Sequence, residues 1–112
     1  MNQRELVWVE VPYSDFSGKK IRPAVIVSNN AYNRKSEDMV ICAITSNTQK
    51  TDYSVTISEN DLEKGKLKVA SKIRADKIMQ IDKKLALKAF ARLNSRKFSE
   101  TTAQIKKLVS EN

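Results

Sequence analysis

Apolar residues recur in short runs separated by polar stretches, the pattern of a β-rich chain. Residues 6–11 (LVWVEV) are rich in β-branched and aromatic side chains and predict a first strand. Residues 12–20 carry proline, two serines, Asp15 and Gly18, and read as a long loop feeding a second strand over 22–28. Residues 29–35 are polar and turn-prone, and 39–45 form a third apolar strand ending in Thr45-Ser46-Asn47-Thr48. Residues 53–57 alternate at period two, as a half-exposed strand does. Residues 59–66 read as a charged connection, and 68–81 as a long strand, bent, with Ile73 and Arg74 facing opposite ways. Residues 85–93 are apolar at every odd position yet rich in alanine and leucine. They are read as a short helical turn after Asp82 and then a strand ending at Leu93. Ser99 is placed as the cap of a closing helix whose apolar face is Ala103, Ile105, Leu108 and Val109. Five or six antiparallel strands with a terminal helix predict one α+β domain over residues 1–112, a small barrel or sandwich, with no repeat or linker.

Charge sharpens this picture. The chain of 112 residues carries a formal charge of +8. Residues 1–63 hold 7 basic and 9 acidic side chains, whereas 64–107 hold 14 basic and 3 acidic. A surface so cationic favours a polyanionic partner, because lysines and arginines that neutralise phosphates release condensed counterions. A chain of this length has a core of its own but gains from burying further apolar surface in a partner, so a dimer is expected. The lone Cys42 lies in an apolar run, which fits a buried thiol in a reducing compartment and excludes an internal disulfide. No run approaches the ~20 apolar residues of a membrane span, and residues 1–4 do not lead into a signal-peptide core. A cytoplasmic protein without membrane contact is expected.

Much chemistry can be set aside. With no histidine, one cysteine and no second carboxylate paired with Asp76, a zinc site, a Cys-His or Ser-His nucleophile and a two-metal nuclease all lack parts. Gly18-Lys19-Lys20 lacks the remainder of a phosphate-binding loop, and Glu59, Asp61 and Glu63 read as a solvated turn. No metal or cofactor is expected. What remains is RNA cleavage in which the substrate supplies its own nucleophile, the 2′-hydroxyl. The protein then needs a base, cations or donors for the phosphorane, and a donor for the leaving oxygen. Arg22, launched from the loop into an apolar strand, and Arg74 offer guanidinium forks that match phosphate oxygens. Asp76, two residues from Arg74 and so on the same strand face, is the candidate base, although flanking cations lower its pKa. Thr45 and Ser46 offer hydroxyl donors. Each piece alone also has a plain reading: a surface ion pair for Arg74 with Asp76, a loop tether for Arg22, a strand-end turn for Thr45-Ser46.

In their order and spacing, Leu6-Val7-Trp8-Val9, Ser17-Gly18-Lys19-Lys20 before Arg22-Pro23-Ala24-Val25, Ala43-Ile44-Thr45-Ser46, Arg74-Ala75-Asp76-Lys77-Ile78, Ile81-Asp82 and Ala91-Arg92-Leu93 resemble the MazF/PemK/Kid toxins. These are ribosome-independent endoribonucleases of bacterial and archaeal toxin-antitoxin pairs, and the resemblance spans nearly the whole chain. It implies a compact SH3-like β-barrel with short helices and a C-terminal helix, and a symmetric homodimer. The implied partner is a small antitoxin whose acidic, disordered tail covers the RNA groove. It also implies Arg22 and Thr45 at the cleavage site and acid and base roles for Arg74 and Asp76. Single-stranded RNA is the expected substrate, since its unstacked bases can be splayed and read. Lys19, Lys20, Ser46 and Lys77 are expected RNA contacts, and Tyr13 and Phe16 candidate stacking residues. Two departures stand out: Met79 where many relatives have arginine, and no histidine in the loop from Tyr13 to Lys20 where some relatives have one. The alternative is a non-catalytic barrel that docks nucleic acid or poisons a protein target such as gyrase, for which exposed Leu108 and Val109 would speak.

Overall fold

The computed structural model describes residues 1–12 and 18–112, so the expectations for Tyr13 and Phe16 lie outside the described residues. Seven strands, β1 (Glu5–Pro12), β2 (Lys19–Ile26), β3 (Asp38–Thr45), β4 (Ser54–Ile57), β5 (Leu62–Gly65), β6 (Ser71–Asp82) and β7 (Ala86–Leu93), join two helices, α1 (Asn30–Lys35) and α2 (Ser95–Leu108). The strands form one antiparallel sheet in the order β4-β6-β3-β2-β1-β7-β5. The sheet is not closed: β4 and β5 are its two edges. The expected α+β class holds, with an open sheet in place of a completed barrel.

Alternation along the central strands feeds two cores. Leu6, Val25, Cys42, Ile44, Ile73 and Leu93 belong to one, which Phe98 and Ile105 of α2 cover. Val7, Val9, Ala24, Ile26, Met39 and Ile41 belong to the other, closed by Ile81 and by partly buried Leu85 and Ala86 around the 3-10 turn Lys83–Leu85. Central strands buried on both faces read as continuous apolar runs, which is why residues 6–11 and 39–45 stood out. Each fully buried Val, Leu or Ile contributes about 1.5–3 kcal/mol.

Three elements differ from the expectations. Residues 29–35 include the helix α1, whose polar sequence conceals it: it buries only Asn33 and is held by its cap, Asn29 Oδ1 accepting from Tyr32 N at 2.8 Å. The charged connection contains β5. Its Glu63 is tied to Arg4 at 2.8 Å and Arg92 at 3.8 Å, so charges that suggest a loop instead fasten an edge strand. Helix α2 is capped by Asn94, whose Oδ1 accepts from Lys97 N at 2.8 Å, and Ser99 lies exposed inside it. The packed face of α2 runs through Phe98, Thr101 and Ile105, while Ala103, Leu108 and Val109 are exposed. Thr101 takes a fully buried position because its hydroxyl donates to the Lys97 carbonyl at 2.9 Å, leaving no buried group unsatisfied.

The expected bend in the long strand is present. Cys42 faces Ile78 and Ile44 faces Ile73, so β6 advances five residues where β3 advances two. Such a bulge re-aims side chains and bends the strand, and it carries Arg74, Ala75, Asp76 and Lys77. Ile73 is buried and Arg74 points the other way, half-exposed.

Candidate functional site

A cleft of about 910 Å³ opens where β2 and β3 part, lined on one side by Arg22, Pro23, Thr45 and Ser46 and on the other by residues 65–69, with Trp8 and Phe90 between them. The β2–β3 ladder ends at Ala24 opposite Ala43. Pro23, which has no N–H to donate, sits at that end. Continuing the register two residues would set Arg22 against Thr45, so the parted strand ends leave both beside the same opening.

Among the described residues the Arg22 guanidinium has one hydrogen bond, Nη1 donating to the Ile21 carbonyl at 3.1 Å, and its remaining donors face an exposed surface. Thr45 Oγ1 accepts from Asn47 N at 3.2 Å. That is the strand-end turn foreseen as its plain reading, and it leaves the hydroxyl proton available to donate. Ser46 lines the same cleft and is exposed. Among the described residues, no aspartate or glutamate lines the cleft.

The other candidates lie elsewhere. Arg74 and Asp76 do not line the cleft but grip each other on the β6 bulge, Nε to Oδ1 at 3.1 Å and Nη2 to Oδ2 at 2.9 Å. The Arg74 hydrogen bonds hold the Asp76 carboxyl below the ordinary carboxylate range; burial opposes them, and the charges of Arg74 and Lys72 add to the lowering. Asp76 in turn raises Arg74. Lys77 is exposed beside them. Lys19 lies 3.8 Å from Glu10, and Lys20 is half-buried. Lys19 and Lys20, expected in the loop, fall in β2, and none of Lys19, Lys20, Arg74, Asp76 and Lys77 is among the residues that line the cleft with Arg22, Thr45 and Ser46.

A family model of PemK-like, MazF-like toxins of type II toxin-antitoxin systems matches residues 2–109. The chain belongs to this family. A search of curated protein sequences finds no match. Solved structures agree with the family on the fold. A MazE-MazF complex from Deinococcus radiodurans superposes with a TM-score of 0.82 at 23% identity over 100% of this chain and 98% of that one. An endoribonuclease with its cognate antitoxin from a mycobacterial species gives 0.80 at 17% identity over 100% and 99%. A Mycobacterium tuberculosis MazF toxin gives 0.75 at 15% identity over 93% and 94%.

Three features of this toxin were not singled out from the sequence. Lys72, opposite Thr45 on the β3–β6 ladder, is buried, with Nζ donating to the Gln49 carbonyl at 2.6 Å and to Thr51 Oγ1 at 3.0 Å. A lysine in an alternating strand is ordinarily read as solvent-facing; the polar run after Thr45 that supplies its acceptors was the only hint. Lys66 and Lys68, read as connection and strand start, line the cleft. Trp8, read only as part of the first strand, is 39% exposed and stacks on Phe90 at 4.8 Å and 27°. Burial pushes the Cys42 thiol up to about 12, with the Asp76 charge adding to it, so this cysteine is inert packing. Among the described residues, no cluster of His, Cys, Asp or Glu could hold a metal ion, and no helix is long and apolar enough to cross a membrane.

Lys72 ties the 46–53 segment to the sheet beside Thr45. Lys72→Ala removes a charged donor from two acceptors and is expected to cost about 1.5–3 kcal/mol. The segment should also become the first site of limited proteolysis. Unchanged protection of residues 46–53 in hydrogen exchange would contradict this anchoring role.

Proposed function

We propose that this toxin is an endoribonuclease that cuts single-stranded RNA, and mRNA in particular, in the cleft between Arg22 and Thr45, without a metal. The observation that supports it is the convergence of Arg22, Thr45 and Ser46 on one cleft with no carboxylate among its described lining residues. A scissile phosphate seated there meets a guanidinium fork and two hydroxyl donors, the groups that stabilise a phosphorane as charge builds on its oxygens. The 2′-hydroxyl attacks the adjacent phosphorus and the 5′-oxygen leaves, giving 2′,3′-cyclic phosphate and 5′-hydroxyl ends.

Arg74 and Asp76 lie outside the lining of the cleft, so the acid and base roles proposed for them rest on the family resemblance and require the bound RNA to reach the β6 bulge; in that reading Asp76 is the base and Arg74 orients it. A carboxylate held this low is ionised at neutral pH but takes up a proton weakly, so in this reading electrostatic stabilisation carries more of the rate than proton transfer. The sign follows from the direction of the shift. The folded pKa of Asp76 lies below the unfolded value of about 3.9, so the pair's stabilisation is complete above that value and fades as pH falls through the folded pKa. Any acid limb of the rate profile above pH ~5 therefore belongs to another group, and Asp76→Asn should lower the rate without moving that limb. A limb that vanishes in Asp76→Asn would mean that Asp76 titrates far higher than its ion pair allows.

The reading extends to a homodimer of one-domain chains in the cytoplasm, and to an acidic antitoxin that covers the cationic cleft. Its chemistry is tested with an RNA cut by the protein in excess chelator, resynthesised with a 2′-deoxy nucleotide at the scissile position. Loss of that one cut, with cyclic-phosphate ends on the parent RNA, is the expected result; continued cutting would rule out 2′-hydroxyl attack. One observation favours the second reading, a non-catalytic toxin acting on a protein such as gyrase: Leu108 is 37% and Val109 72% exposed at the end of α2. Inhibition of gyrase supercoiling by a preparation that leaves RNA intact would select it.

A further inference from the structure

Past Trp8 of β1 and Phe90 of β7 in the strand order, the cleft is lined by Gly65 at the end of β5 and by Lys66, Leu67, Lys68 and Val69. The position of residues 66–69 follows from Gly65, which ends β5 at φ +89° against β7, so close that a Cβ would lie 2.3 Å from the Phe90 carbonyl oxygen and 2.6 Å from Ala91 Cα. Only a residue without a side chain lets the backbone approach so far before turning into residues 66–69. That approach brings two lysines to the cleft beside the Trp8–Phe90 stack. Among the described residues neither lysine has a carboxylate partner, whereas Arg4, Lys19, Arg74, Arg92 and Lys97 all do.

The cleft therefore draws cations from two separate parts of the sheet, Arg22 on β2 and Lys66 and Lys68 after β5, with exposed apolar surface at Trp8, Ile21 and Val69 and a volume of about 910 Å³. That volume lies near the top of the ~300–1,000 Å³ range of small-molecule sites and exceeds what one nucleotide needs. A groove that tracks a backbone with cations while aromatic faces take the bases is the arrangement that holds single-stranded nucleic acid. Resting on the RNA reading of the same cleft, we infer that Lys66 and Lys68 form a second phosphate subsite. They hold the phosphate next to the one at Arg22, with the intervening base against Trp8. The subsite binds substrate and transition state alike, so it acts on affinity and not on the chemical step.

The test uses a mixed-sequence pool of 2′-fluoro RNA about a dozen nucleotides long, which lacks the attacking hydroxyl, with binding followed by fluorescence anisotropy over a salt series. Lys66→Gln/Lys68→Gln is compared with Lys35→Gln/Lys84→Gln, an equal loss of charge outside the cleft, and with Arg22→Ala. The cleft pair should weaken binding about tenfold or more at low salt. It should also flatten the slope of log K against log salt by about 1.4, at ~0.7 per lost contact, and raise KM for a cleavable RNA with kcat retained. An effect no larger than that of the control pair, while Arg22→Ala weakens binding, overturns the second subsite and leaves the RNA reading standing. Failure of the unmodified protein to bind the pool at all overturns both.

Discussion

Arg22→Ala is expected to slow RNA cleavage by about 10²–10³-fold, the usual consequence of removing one preorganised donor from a developing oxyanion. The fold should be indifferent, because Arg22 is exposed and its hydrogen bond among the described residues goes to the carbonyl of its own neighbour, Ile21. The loss should appear in kcat/KM with an unchanged thermal midpoint. Arg22→Lys should recover only part of the rate, since a point charge replaces a fork that matches two phosphate oxygens. Full activity in a folded Arg22→Ala protein would remove the cleft from the mechanism.

The residues that made the site legible are those whose local chemistry is unusual for their position. Arginine before proline in one strand, and hydroxyls at the end of another, mark the place where the β2–β3 ladder stops, and the cleft opens there. The apolar strands were legible for a related reason: buried residues fall on both faces of β3 and of segments 6–9 of β1 and 24–26 of β2, so those stretches are apolar almost without interruption. What stayed hidden depends on partners far away in sequence. Helix α1 buries a single asparagine and has no apolar stripe to betray it. Strand β5 reads as a loop because Glu63 is exposed to the chain around it, yet Arg4, 59 residues earlier, is what holds it. Lys72 resembles any lysine until the 46–53 segment folds over it. The Arg74–Asp76 pair was legible as a pair; that it does not line the cleft was not, because the β6 bulge on which it sits is a property of pairing with β3.

Gly65→Ala is the second large effect. A Cβ at φ +89° combines backbone strain of about 1–3 kcal/mol with a clash against the backbone of Phe90 and Ala91, which has no flexible side-chain end to yield. Overpacking of that kind costs about 1–3 kcal/mol. The expected loss is about 2–6 kcal/mol, a fall in thermal midpoint of about 10 °C or more for a domain of this size. The damage should be local first: β5 is an edge strand paired only with β7, so it can detach while the central strands stay folded. Hydrogen exchange should quicken in residues 62–69 before the rest of the sheet. An unchanged midpoint with unchanged protection at β5 would mean that Gly65 is not held against β7.

The function of the cleft turns on whether it cuts RNA. The measurement that decides it is incubation of the purified protein with a long mixed-sequence RNA in excess EDTA, with cleavage positions mapped alongside Arg22→Ala and Thr45→Ala proteins of matched thermal stability. Discrete cuts sharing a short sequence, ending in cyclic phosphates, lost with Arg22→Ala and weakened with Thr45→Ala, are predicted. RNA left intact by the folded protein, or cut equally well by all three, would contradict it.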